Sequence, residues 1–234
     1  CAVEKLMGWE LPPRGKAVRV LCCELARISA HLLGIGCYAM DVGAMTVFLY
    51  TFTQRETVYN LCEQISGARF TTSYTRVGGQ TRDITPEIIS AVEKFCDEVS
   101  EAIDEVDSLL SRNKIFLDRT RDVGVISRED AIGYGLTGPN LRASGVAFDM
   151  RKNHPYLGYE ELDFDIPVGK VGDSYDRYLV RMEEMRQSIS LLRQICRQMP
   201  EGPINVVDPK GSLPEKERVL MSMEELIHHF IVAT

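Results

Sequence analysis

Residues 18–35 read VRVLCCELARISAHLLGI and carry the clearest helical pattern of the sequence. The apolar side chains of this stretch recur in steps of three and four residues, which places them along one side of an α-helix. These apolar positions are Val18, Leu21, Leu25, Ile28, Leu32 and Ile35. Pro12 and Pro13 stand just before the stretch, where proline is tolerated in the first turn of a helix. The stretch therefore predicts a long helix with one buried face.

Two more seams have the same spacing. Thr85 and Pro86 mark the start of the first, and Pro200 marks the end of the second. The seams consist of Ile88, Val92, Phe95, Val99, Ala102, Val106 and Leu109, and of Tyr175, Tyr178, Met182, Met185, Ile189, Leu192, Cys196 and Met199. We also predict a helix over residues 45–65 that stops at Gly67. A shorter one over 222–231 begins with a capping box made by Ser222 and Glu225.

These elements predict a mainly α protein, folded as one helical bundle over residues 1–234. A coiled-coil scaffold is the alternative, but long loops rich in Gly, Pro and Asp favour a globular bundle. The irregular part lies in residues 121–168, where Val123–Ile126 and Leu162–Pro167 are expected to form short strands. Residues 28–52 are expected to form a buried helix pair with a break at the glycines.

Composition excludes several classes of function. The net charge of −7 argues against nucleic acid as a partner, because phosphate binding needs a basic face. Seven cysteines without a Cys-x-x-Cys pair indicate a reducing compartment, and the four histidines have no partner at metal-ligand spacing. We expect neither a metal site nor a transmembrane segment, since His31 and Asp41 interrupt the most apolar stretch. The acidic run at 93–107 is expected to be a solvated helix face.

Asp41 is the most informative single residue. It lies in an apolar stretch beside Gly34, Gly36 and Gly43, where a carboxylate must be paired, hydrated or protonated. Burial would raise its pKa towards the range that is useful for proton exchange. The alternative is structural, because Asp41 could instead cap the helix that begins near Ala44.

Two stretches combine arginine with glycine in long, non-repetitive loops. They are SGARFTTSYTRVGG at 66–79 and TGPNLRASGVAFDMRKNHPY at 137–156. Loops of this kind commonly carry function, and their arginines could face a carboxylate, a phosphate or an anionic cluster. The alternative is ordinary ion pairing on the surface.

These stretches resemble a known family. The segments that carry the likeness are ELPPRGKAVRVLCCELARISAHLL, CYAMDVGAMTVFLYTFTQRE, SGARFTTSYTRVGG, GLTGPNLRASGVAFDMRKNHPY, GDSYDRYLVRMEEMRQS and SMEELIHHF. Together, from end to end, they resemble the D-type or 49 kDa-type subunit of NADH–quinone oxidoreductase, respiratory complex I. The resemblance implies the helical fold of the nickel–iron hydrogenase large subunit. It also implies that residues 1–234 are the central part of a longer chain.

The resemblance further implies a partner set and a location. The protein would sit on the cytoplasmic side of the bacterial inner membrane, or on the matrix side in mitochondria. It would pack on the small subunit with the terminal 4Fe-4S cluster, on a C-type neighbouring subunit and on the quinone-channel membrane subunit. Quinone would be the substrate, and the iron–sulfur clusters and FMN would lie on partner subunits. The chain itself would bind no cofactor.

Particular residues inherit expected roles from the resemblance. Asp41 matches an acidic residue of the quinone chamber that is thought to exchange charge with a chamber His. Leu33, Cys37, Phe48 and Phe52 match positions that line the quinone cavity or its approach.

Arg69, Thr71 and Arg76 belong to the loop that would face the terminal cluster. Thr71 stands where the family usually has His, Val47 where it has Pro, and Tyr38 where it has His. The His and Tyr that bind the quinone headgroup are expected upstream of residue 1, and a closing segment is expected beyond residue 234. The chain alone should therefore catalyse nothing.

Two other functions are open at this point. One is the large subunit of a membrane-bound nickel–iron hydrogenase, which shares the fold but needs two Cys-x-x-Cys pairs elsewhere in its chain to hold the metals. The other is a helical scaffold without catalytic function, for which Asp41 substitutions would have no quinone-dependent effect.

Overall fold

A computed structural model of the chain describes residues 2–206 and 213–233. Helices dominate the described residues, and one small hairpin provides the strands. In chain order the elements are α1 (Ala2–Met7), α2 (Pro13–Asp41), α3 (Met45–Ser66), β1 (Thr75–Arg76), β2 (Gly79–Gln80), α4 (Pro86–Leu110), α5 (Lys114–Thr120), α6 (Arg128–Gly133), α7 (Gly138–Ala143), α8 (Met150–Asn153), a 3-10 turn (Tyr159–Glu161), α9 (Ser174–Arg197), α10 (Lys216–Met221) and α11 (Met223–Ala233).

The core lies among the four long helices. Helix α2 packs against α3 and α9, and α4 closes the bundle by packing against the same two helices. Leu25, Val99 and Leu192, one from each predicted seam, are all buried. The mainly α bundle predicted from the three seams is therefore confirmed.

Glycines shape the α2–α3 hairpin, although the break lies at only one of them. Gly34 and Gly36 are inside α2. A Cβ atom at Gly36 would overlap the hydroxyl of Thr51, so glycine here lets α3 approach α2 closely. The chain reverses at Gly43, whose φ of +96° favours glycine. The expected break between the two helices therefore lies at Gly43 and not at Gly34 or Gly36.

The predicted strands are wrong in position. Neither Val123–Ile126 nor Leu162–Pro167 pairs with another strand, and the one described hairpin joins β1 to β2, with Thr75 opposite Gln80. The segment 162–167 has no regular secondary structure, and two side chains of α9 bind its backbone. Gln194 Oε1 accepts from the backbone N–H of Asp163, and Gln187 Oε1 accepts from that of Asp165, both at 3.0 Å. Hydrogen bonds to glutamine side chains thus take the place of the backbone hydrogen bonds that a neighbouring strand would make.

The acidic run at 93–107 lies on the outer face of α4, as predicted. Its carboxylates form a few surface pairs with α9, such as Asp97 with Arg193 at 2.8 Å and Asp104 with Arg186 at 3.4 Å. Exposed pairs of this kind contribute little to stability. The carboxylates of the run thus form a solvated face of α4.

Helix α2 is long and apolar enough to cross a membrane by length and composition, and no other helix in the described ranges is. Half of its most apolar 18-residue window is buried inside this structure. The core helix of a bundle passes the same test, because most of its side chains pack against neighbouring helices.

Candidate functional site

Asp41 is the last residue of α2, and its side chain is exposed. The residue at the N-cap position of α3 is Ala44, and no side chain caps that helix. The structural alternative, in which Asp41 caps α3, is therefore wrong. Within residues 2–206 and 213–233, the Asp41 carboxylate has no ion-pair partner. The Asp41 side chain thus lies at the surface of the described residues.

An apolar stripe begins one turn beyond Asp41. Met45, Phe48, Leu49 and Phe52 follow the i, i+3, i+4, i+7 spacing of one helix face. Other helices do not cover this face, since Met45 is 55% exposed and Leu49 is 57% exposed. The rings of Phe48 and Phe52 lie 4.1 Å apart, centroid to centroid. The stripe is thus a contiguous aromatic and aliphatic surface that ends at an acidic residue.

Leu33 and Cys37 lie one turn apart near the end of α2, and both are half-buried. The five predicted quinone-cavity residues therefore fall in the last third of α2 and the first third of α3. Arg55 closes the far end of the stripe, with its guanidinium 5.4 Å from the centre of the Phe52 ring. We call the surface formed by Leu33, Cys37, Asp41 and the α3 stripe the α2–α3 corner.

The loop that follows α3 holds the other predicted site residues. Arg69 pairs with Glu56 at 2.5 Å in an exposed position, so for this arginine the alternative of a surface ion pair is confirmed. The Arg76 side chain is exposed, while its backbone carbonyl accepts from the buried guanidinium of Arg19 at 2.8 Å. Thr71 is exposed and has a φ of +53°, which is unusual for a β-branched residue.

The loop and the α2–α3 corner lie at opposite ends of α3. A helix of 22 residues is ~33 Å long at 1.5 Å per residue. The chain therefore does not bring the two predicted groups into one compact site. They could share only an elongated cavity that runs along the helix.

A buried ionic cluster, which the sequence did not predict, links α2 to the 137–156 stretch. Glu24 has no exposed surface, and both of its oxygens lie near Arg151 Nη1, at 3.2 and 3.3 Å. The Tyr159 hydroxyl donates to Glu24 at 2.5 Å, and Arg27 Nε donates at 3.2 Å. Arg151 also donates to Asp149 at 2.8 Å. Three segments distant in sequence are thus joined at one carboxylate.

A second carboxylate extends this cluster across to α9. Glu184 accepts from Arg142 Nε at 2.6 Å, and its other oxygen lies 2.9 Å from His31 Nε2. Burial alone would raise the pKa of Glu184, but the close approach of the His31 imidazole and the hydrogen bond from Arg142 outweigh burial and hold the pKa below its ordinary value. Arg142 and Arg151 therefore face carboxylates of the chain itself, in the interior and not on the surface.

The cysteines have no redox or metal partner among the described residues. All six described cysteines are free, and no group of three metal-ligating side chains occurs in the described ranges. Burial raises the pKa of Cys22 and of Cys96 to about 12 in each case. A thiol with so high a pKa is a weak nucleophile at neutral pH.

Comparison with known proteins decides the family. A family model described as "Respiratory-chain NADH dehydrogenase, 49 Kd subunit" matches residues 41–234. The chain belongs to this 49 kDa subunit family. The match begins at Asp41 and includes the stripe on α3, the loop after it and the stretch that holds Arg142 and Arg151.

Relatives of the 49 kDa family match the rest of the chain as well. The D-type subunit of NADH-quinone oxidoreductase from Akkermansia muciniphila is 61% identical over all 234 residues, and its counterpart from Methylacidiphilum infernorum is 60% identical. The counterpart from a Wolbachia of Brugia malayi is 50% identical over 228 residues. The chain spans 56% of the length of the first two relatives. The resemblance read from the motifs is thus confirmed as to family.

Proposed function

We propose that the chain is part of a subunit of NADH–quinone oxidoreductase, and that its α2–α3 corner forms part of the wall of the quinone cavity. The observation that carries this proposal is the uncovered apolar stripe on α3 that ends at Asp41. Membership of the 49 kDa family supports the assignment to this enzyme. The uncovered stripe supports the assignment of the α2–α3 corner to the quinone cavity. Electron transfer from NADH to quinone in the whole enzyme would be coupled to proton translocation.

The chemistry of the corner suits a quinone. A quinone has a flat ring and an apolar tail, and apolar pockets bind such ligands through burial and a few placed polar groups. The paired rings of Phe48 and Phe52 offer an aromatic surface, and Leu33 and Cys37 add aliphatic bulk. Reduction of a quinone consumes two electrons and two protons. Asp41 is the carboxylate of the corner that can take part in delivering a proton.

The remaining parts of the site are assigned to other chains. The proposed partners are the small subunit with the terminal 4Fe-4S cluster, the C-type neighbouring subunit and the quinone-channel membrane subunit. The clusters and FMN are proposed to reside on partners, and the assembly is proposed to lie on the cytoplasmic side of a bacterial inner membrane, or on the matrix side in mitochondria. The corner would be covered only in that assembly, which agrees with its exposed leucine and methionine.

Phe52→Leu tests the aromatic wall. The change keeps an apolar side chain but removes the ring, and ring contacts are worth about 0.5–1.5 kcal/mol beyond burial. In the assembled enzyme we expect the KM for quinone to rise by about 2- to 10-fold, with NADH oxidation by an artificial acceptor unchanged. Tyr134→Leu is the matched control, since Tyr134 is 81% exposed and lies outside the corner. An unchanged quinone KM in Phe52→Leu would remove this ring from the cavity.

Thr71 gives a second test, at the opposite end of α3. Where the family has His, the imidazole pKa rises when an electron reaches a nearby cluster, which makes the cluster potential depend on pH. Thr does not titrate, so we expect a flat potential between about pH 6 and 8. Thr71→His should steepen it towards about 60 mV per pH unit, the limit for one electron coupled to one proton.

The backbone at residue 71 favours this experiment. His tolerates a positive φ better than the β-branched Thr does, so the substitution should leave the loop in place. Redox titration of the terminal cluster, followed by electron paramagnetic resonance at several pH values, makes the measurement. Thr72→His, on the next residue of the same loop, is the control. A steep slope in the unsubstituted enzyme would contradict the assignment of Thr71 to the cluster-facing position.

A further inference from the structure

A pocket of about 180 Å³ lies between α2, α7 and the first turns of α9. Gly34 and Tyr38 line it from α2, Asn140 from α7, and Arg177 and Arg181 from α9. None of the residues that line the pocket belongs to the α2–α3 corner. The pocket therefore shares no residue with the quinone wall proposed above, and nothing below depends on that proposal.

The two arginines that line the pocket retain unused hydrogen-bond donors. A guanidinium has five N–H groups. Arg177 uses three, because Nη1 donates to Gly172 O at 2.8 Å while Nη2 donates to Gly124 O and Ser174 Oγ, both at 2.9 Å. Arg181 uses two, donating to the backbone oxygen of Arg177 at 2.8 Å and to Asn140 Oδ1 at 3.1 Å. Among the described residues, 2–206 and 213–233, two donors therefore remain unused on Arg177 and three on Arg181.

The charges of these two arginines are also uncompensated. Within residues 2–206 and 213–233, neither guanidinium forms an ion pair. Glu184 attracts Arg181 from the next turn of α9, but its oxygens are held by Arg142 and His31. Burial lowers the pKa of Arg181, and the nearby charge of Arg177 lowers it further, against the pull of Glu184. Two cations thus share a partly buried position that a negative charge would stabilise.

The other acidic groups near the pocket are already engaged. Asp173 accepts the backbone N–H groups of Asp176 and Asp122, at 2.7 and 2.9 Å. Asp176 accepts three backbone N–H groups, from residues 170, 171 and 172, at 2.6–3.2 Å. These carboxylates close the loop that leads into α9. They are not free to turn towards the arginines without giving up those bonds.

We infer that this pocket binds a tetrahedral phosphate oxyanion, supplied either by free phosphate or by the headgroup of an anionic phospholipid. Two guanidinium groups match the double charge of a phosphate, and arginine is the side chain best suited to phosphate oxygens. The side-chain amide of Asn140 adds N–H donors from a third direction. The volume far exceeds the roughly 30 Å³ that one water occupies in the liquid, so an oxyanion of five heavy atoms fits.

The test is equilibrium dialysis of the full-length protein, in its purified assembly, against radiolabelled phosphate at constant ionic strength. We expect saturable binding, and an affinity about 10- to 100-fold weaker in Arg181→Gln, since a charge-assisted hydrogen bond is lost. Arg193→Gln is the matched control. It removes the same charge from the same helix, but from an exposed residue that pairs with Asp97. It should bind phosphate as the unsubstituted protein does.

A stability measurement separates ligand binding from a merely structural role. Because Arg181 lacks a counter-ion, Arg181→Gln should unfold in phosphate-free buffer at the same temperature as the unsubstituted protein or a higher one. A residue needed only for folding would lower that temperature. Competition by phosphatidic acid vesicles, without competition by phosphatidylcholine vesicles, would assign the site to a lipid phosphate. No competition would assign it to the free anion.

Two results would overturn the inference. One is equal phosphate affinity in the unsubstituted protein, Arg177→Gln and Arg181→Gln. The other is a lack of saturable binding at millimolar phosphate, which is expected if a carboxylate of a partner or of the longer chain already fills the pocket.

Discussion

Glu24→Ala should lower the free energy of unfolding by about 3–5 kcal/mol, the usual cost of removing one partner from a buried ion pair. Glu24 is fully buried and accepts from Arg151, Arg27 and Tyr159. Its removal leaves the Arg151 charge with Asp149 alone and leaves the Tyr159 hydroxyl without its acceptor. The cluster joins α2 to the 137–156 stretch, so the loss should also loosen that stretch.

Urea unfolding of the full-length protein, followed by circular dichroism, makes this measurement. Glu101→Ala is the control, because Glu101 is exposed on α4 and its removal should change stability by less than about 0.5 kcal/mol. Hydrogen exchange of residues 138–153 reports the local effect, and protection there should fall in Glu24→Ala only. Equal stability of the two variants would show that the cluster around Glu24 adds nothing to the fold.

The helices were predictable because their cause is local. Each seam is a repeat of three and four residues, and a buried face imposes that repeat wherever the helix lies in the bundle. The start of α4 at Pro86 and the turn at Gly43 follow from proline and glycine alone. The prediction of strands failed because strand pairing depends on residues that are distant in the sequence. Whether residues 162–167 pair in a ladder depends on Gln187 and Gln194, which lie on a helix that arrives later in the chain.

The site was predictable only in part, for the same reason. The sequence marks Arg142 and Arg151 as unusual, but Arg151 meets Glu24 across 127 residues and Arg142 meets Glu184 across 42. Asp149 is a local partner of Arg151, but neither glutamate lies near its arginine in the sequence. One signal was available, since Glu24 lies three residues after Leu21 and four before Ile28, on the side of α2 that must be buried, and a carboxylate in such a place needs partners. Arg177 and Arg181 gave no comparable signal, because charged residues at that spacing usually face water.

The position of Asp41 conflicts with helix electrostatics, which is itself informative. A helix C-terminus carries a partial negative charge, and an acidic side chain there is unfavourable by about 0.3–1 kcal/mol. Departures of this kind from local preference are expected at functional sites. Asp41→Asn removes the repulsion and keeps the shape of the side chain, so it should leave stability unchanged or slightly higher. It cannot exchange a proton, however.

We therefore expect Asp41→Asn to lower quinone reductase activity by about 100-fold or more, the range over which a positioned acid or base contributes. The most direct test of the proposed function is the ratio of two rates in the assembled enzyme, NADH oxidation with quinone and NADH oxidation with an artificial acceptor. Asp118→Asn, an exposed carboxylate on α5, is the control and should leave the ratio unchanged. We expect this ratio to fall in Asp41→Asn while the rate with the artificial acceptor stays unchanged. Quinone turnover at the unsubstituted level would contradict this expectation and leave the α2–α3 corner without a part in the chemistry.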